Sequence, residues 1–148
     1  MLTTLALITA AVLGLIGAGV LAWNTLIYVQ TDHGSCLIFD PSACRSLTYE
    51  TVEQDSSVAL PEGSRILDSG SISAFASSRT WATVEIPEDT DLRFDPGYEP
   101  SNLGAGAPPA QFRSVDEVYV HGTGSERRLV MIGTGADGTR IVHLEVRG

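Results

Sequence analysis

The chain has 148 residues and a formal charge of −9, with 18 acidic side chains against nine cationic ones. All nine cations are arginine, so no lysine exists to serve a phosphate loop or a Schiff base, and no basic excess favours a nucleic-acid backbone. Arginine without lysine, with abundant Ala, Gly and Val, reads as the product of a GC-rich genome.

The first element is apolar. No charged side chain occurs from Leu2 to Val29. Leu5 to Ile27 matches the roughly twenty apolar residues that a helix needs to cross a bilayer. Trp23 and Tyr28 suit an interface. The n-region lacks the basic residues of a cleaved signal. The pattern predicts an uncleaved anchor in residues 1–30 that meets the lipid bilayer through residues 5–29. Orientation rests on Cys36 and Cys44, the two cysteines, which suit an oxidising compartment as a disulfide. The expected topology is single-pass in the cell membrane, with the N-terminus cytoplasmic and the C-terminal domain extracytoplasmic.

Residues 31–46 read as a disulfide-closed juxtamembrane segment. Asp40-Pro41 is a helix-start signal and predicts a short helix to about Leu47. Residues 47–148 read as an acidic β-rich domain. Strands are expected at 47–53, 64–67 and 80–86, and residues 87–111 are expected to be irregular because prolines and glycines interrupt any period.

Three antiparallel strands follow, at 115–121, 127–134 and 139–147. Asp137-Gly138 predicts a two-residue turn between the last two. That turn places Gly133 opposite Val142, Met131 opposite Leu144 and Leu129 opposite Val146. Leu129, Met131, Val142, Leu144 and Val146 would then form one buried face, with His143 and Glu145 on a more exposed one. The fold class expected is a single N-terminal transmembrane helix plus a small mainly-β (α+β) extracytoplasmic domain with an antiparallel sheet.

Chemistry is sparse. His33, His121 and His143 have no metal-ligand spacing with one another or with a cysteine. His121 shares a region with Ser114, Asp116 and Ser125, but no nucleophile-elbow sequence surrounds either serine. No catalytic residue, cofactor or metal centre is expected, and the protein reads as a non-enzyme. Acidic residues 85–99 hold the best candidate ligand site, with Glu88, Asp89, Asp91 and Asp95 as oxygen donors for a hard cation. Arg93 stands among them as a competing counter-charge. The stretches Leu60-Pro61-Glu62-Gly63-Ser64-Arg65-Ile66-Leu67-Asp68-Ser69-Gly70 and Trp81-Ala82-Thr83-Val84-Glu85-Ile86-Pro87 resemble membrane-anchored proteins of high-GC Gram-positive bacteria. That resemblance implies an envelope location and no activity. The expected role is a membrane-anchored interaction or accessory module with an envelope protein as partner. The alternative is a small cation- or ligand-sensing domain built on residues 85–99 and the 87–111 loop.

Overall fold

The computed structural model describes residues 2–74, 76–101, 107–122 and 126–148; within the first helix it describes the side chains of residues 9–20 and 22. Helix α1 is Leu2–Leu26. Strands β1 (Tyr28–Thr31), β2 (Gly34–Leu37) and β3 (Asp40–Leu47) follow, then helix α2 (Tyr49–Ser56). Next come β4 (Val58–Ala59), β5 (Arg65–Ala74), β6 (Ser77–Glu85), β7 (Arg93–Phe94) and β8 (Glu99–Pro100). The chain closes with β9 (Phe112–His121), β10 (Arg127–Gly135) and β11 (Arg140–Arg147). Nine strands form one antiparallel sheet in the order β1-β2-β3-β5-β6-β11-β10-β9-β8, while β4 and β7 pair separately.

Among the described residues, no helix is long and apolar enough to cross a membrane. This corrects the expected anchor at residues 5–29, and with it the bilayer partnership, the single-pass topology, the membrane-anchored role and the transmembrane part of the fold class. The far end of the proposed span is not helical. Tyr28 and Val29 pair with Leu37 and Cys36 in β1–β2, and the Ile38 N–H donates to the Ile27 carbonyl at 2.9 Å. The side chain of Trp23 lies outside the described residues. What stands, among the described residues, is a mostly β-sheet domain with two helices.

The disulfide is formed. Cys36 and Cys44 are joined, and no described cysteine is free. The helix expected at Pro41 is instead strand β3. The Asp40 carboxylate accepts from the Ser42 N–H and hydroxyl two residues on, a turn that competes with helix capping. Cys44 then lies opposite Cys36 in the β2–β3 ladder. Conversely, the strand expected at 47–53 is largely helix α2. Thr48 caps it by accepting from the Thr51 N–H, and Ser57 ends it in the left-handed conformation, φ 56°. Its Val52 and Ser56, four residues apart, both turn inward.

The C-terminal hairpin forms, shifted by one residue from the expected register. Gly133 pairs with Ile141, Ile132 with Val142, Met131 with His143 and Val130 with Leu144. The turn explains the shift. The Gly135 N–H donates to the Thr139 carbonyl, the Gly138 N–H donates to the Gly135 carbonyl, and Gly138 takes φ +89°. These are the features of a three-residue loop closed by a left-handed glycine, not a two-residue turn. Asp137 secures it by accepting from the Thr139 N–H and hydroxyl. One extra loop residue sends Leu129 and Met131 to the face opposite Val142, Leu144 and Val146.

The first face of the sheet carries the main core. Val130, Ile132, Val142, Leu144, Ala82 and Val84 are buried there with Val52 of α2, Val58 and the disulfide. The 87–111 segment folds back onto this core. Phe94 stacks on Tyr98 and Tyr119, and the Tyr98 hydroxyl donates to the Ser56 carbonyl. Burial pushes the Tyr98 phenol up to about 12. Residues 102–106 of the expected loop lie outside the described residues.

Candidate functional site at the arginine end of the sheet

The second face of the sheet is read off the same ladders. Its outermost rank runs across four strands: Ile72 of β5 opposite Arg79 of β6, Arg79 opposite Arg147 of β11, and Arg147 opposite Arg127 of β10. The next rank inward is Gly70, Trp81, Glu145 and Leu129. A third rank holds Asp68, Thr83, His143 and Met131. In the inner ranks Leu129, Met131, Thr83, His143 and Glu145 are buried, Trp81 is half-buried and Asp68 is exposed, while Arg79, Arg127 and Arg147 of the outermost rank are exposed.

Like charges directly opposite one another on adjacent strands destabilise a sheet. Here three guanidinium groups sit on neighbouring strands about 4.8 Å apart. One carboxylate offsets them. Glu145 accepts from Arg79 Nη2 at 3.0 Å through Oε2 and from Arg147 Nε through Oε1. Arg127 has no carboxylate partner among the described residues. The three arginines open onto a groove of about 700 Å³, whose other wall includes Ile72, Ala74 and Ser77. Arg79 also lies over the Trp81 ring, 5.5 Å from its centroid, which fixes one arm of the cluster.

Glu145 is 4% exposed. Burial pushes its carboxyl up, but the hydrogen bonds and charges of Arg147 and Arg79 outweigh burial and hold it below the usual carboxylate range. His143 behaves differently. Burial favours its neutral form and lowers its pKa, with Glu145 opposing only in part. Its Nδ1 lies 3.0 Å from the Thr83 hydroxyl and its Nε2 lies 3.7 Å from Glu145 Oε2. A hydroxyl, an imidazole and a carboxylate therefore stand in line. Thr83 is 0% exposed, so no substrate reaches it, and the imidazole–carboxylate separation exceeds hydrogen-bond length. The line holds the sheet's interior together.

Both shifts make the fold acid-sensitive. A group whose pKa falls on folding stabilises above its unfolded value and loses that contribution as pH drops toward its folded one. His143 withdraws stability as pH falls below about 6.5, and Glu145 adds to the loss below about 4.3. Urea midpoints measured from pH 7.5 to pH 5 should therefore decline, and His143→Gln should flatten that decline. An unchanged slope in His143→Gln would remove His143 as its source.

Apart from the joined Cys36 and Cys44, the residues singled out from sequence are dispersed. No group of three or more His, Cys, Asp or Glu that could hold a metal ion occurs among the described residues, so Glu88, Asp89, Asp91 and Asp95 do not converge as a cation site. The backbone there is held by a cation of the protein itself: Arg140 Nη1 donates to the carbonyls of Glu88 and Thr90. Ser114 donates to Asp116 at 3.3 Å, while His121 packs on Tyr98. Seven residues along one strand separate Ser114 from His121 by about 23 Å. Ser125 lies outside the described residues. The arginine rank escaped sequence reasoning because the expected register set Arg128, not Arg127, opposite Arg147. Counting the turn as three residues would have revealed it.

No protein-family model, curated protein or solved structure matches this chain.

Proposed function

We propose that this protein is a non-enzymatic binding module whose working surface is the arginine end of the sheet's second face. One observation carries the reading: Arg79, Arg147 and Arg127 stand abreast on three adjacent strands with, among the described residues, a single side-chain carboxylate paired to them. A chain with 18 acidic residues had ample means to alternate charge there. Exposed guanidinium forks suit planar or tetrahedral oxyanions, which they bind through paired N–H donors. The net charge of −9 repels a long polyanion, so the ligand group is short and its attraction local.

Thermal denaturation of the full chain in sodium sulfate and in sodium chloride at matched ionic strength tests this. Sulfate also strengthens burial generally, so the informative quantity is the difference between the native chain and Arg127→Ala. The native chain should gain more in sulfate than the variant does. Equal gains would overturn the reading.

A further inference from the structure

Resting on that reading, we infer that the group recognised is a phosphate monoester, bound as a dianion. The argument is charge matching at a fixed site. Three guanidinium groups face the groove, and Glu145 neutralises one of them while pinning two in place. Two positive charges are left unmatched among the described side chains. A carboxylate or a phosphodiester brings one negative charge and leaves one guanidinium unmatched. A phosphate monoester carries about −1.5 to −2 at neutral pH and three terminal oxygens. Those three oxygens can take donors from Arg79, Arg147 and Arg127 together, because long arginine arms rooted about 4.8 Å apart can converge on one tetrahedral centre.

The fourth strand supplies the rest of the site. Ile72 completes the rank beside Arg79 and is 54% exposed. Ala74 and Ala76 line the groove next to it. This apolar shoulder leaves room for the ester's organic group beside the charged cradle, where a fourth arginine or an acid would have excluded it. Nothing in the arrangement calls for a covalent step: the anion is held and not transformed.

The test is titration of the full chain, by calorimetry at pH 7.5 and fixed ionic strength, with methyl phosphate, dimethyl phosphate and sulfate. Methyl phosphate should bind about tenfold more tightly than dimethyl phosphate, since one further charge at close range in a partly exposed site is worth at least that factor. Sulfate, a dianion without an ester, should also exceed dimethyl phosphate. Arg127→Ala should shrink the preference for methyl over dimethyl phosphate to about threefold or less, and Arg127→Lys, which keeps the charge, should retain more of it. Arg127 is exposed, so neither variant disturbs the core. Equal affinity for the two phosphates would overturn the monoester inference and leave anion binding standing. A preference that survives Arg127→Ala would overturn it as well. Absence of binding by all three anions would overturn both.

Discussion

Leu144→Ala is expected to cost the domain about 2–5 kcal/mol, the range for removing a large buried aliphatic side chain and leaving a cavity. Leu144 is 2% exposed and sits opposite Val130 on one side and Ala82 on the other, at the centre of the first-face core. It has nowhere to collapse from. The strands flanking β11 are themselves flanked, by β5 and β9, and the backbone cannot close the gap without breaking ladders on both sides. Urea denaturation followed by intrinsic fluorescence reads the loss directly. A cost below about 1 kcal/mol would mean that this face is not the packed side of the sheet.

Glu145→Ala is expected to cost about 1.5–3 kcal/mol, the range for losing hydrogen bonds to a charged group. Strand alternation in the expected register places Glu145 on an exposed face, where truncation would cost little. The structure reverses that expectation. Its carboxylate is buried and receives both Arg79 and Arg147. Half-exposed arginines rehydrate when their partner is removed, which keeps the cost below that of a fully buried pair. The three guanidinium groups are then left facing one another with no counter-charge, which adds repulsion. Raising the salt concentration should therefore recover part of the loss in Glu145→Ala and leave Leu144→Ala unaffected. The same result from both variants would mean that Glu145 acts through packing alone.

The two substitutions also mark where sequence reasoning succeeds. The alternation at 127–134 and 139–147 correctly locates two antiparallel strands, because β-branched runs around Asp-Gly leave little choice of element. It does not settle which residues share a face. Apolar residues occupy both faces of β10, so shifting the register by one exchanges one apolar set for another and the pattern cannot object. Only the turn decides, and its decisive event is the Gly135–Thr139 hydrogen bond across three intervening residues.

The same limit applies near the disulfide. Asp40-Pro41 carries a helix signal in isolation, but the Cys36–Cys44 cross-link and the β2 ladder override a local preference worth about 1 kcal/mol. The apolar run at the N-terminus was legible as helix and not in its extent, since Tyr28 and Val29 belong to a strand. The acidic 85–99 stretch is a different case. Carboxylates close in sequence suggested convergence, yet the backbone between them is drawn toward Arg140, a partner some fifty residues away that no local spacing reveals.

The cross-link between β2 and β3 also governs how the domain answers a pull. Tension along α1 enters the sheet at Tyr28, the first residue of the outermost strand. It can unzip β1 from β2 one residue pair at a time, through four pairs in all. Force then passes along β2 to Cys36, where it meets a covalent bond to Cys44 instead of another hydrogen bond. The residues between the two cysteines are shielded from extension, and the strain is handed to β3 and its side-chain anchors, Ser69 and Ser71 on β5. The domain thus has a yielding outer strand and a mechanical stop behind it, and reduction of one bond would convert the stop into slack.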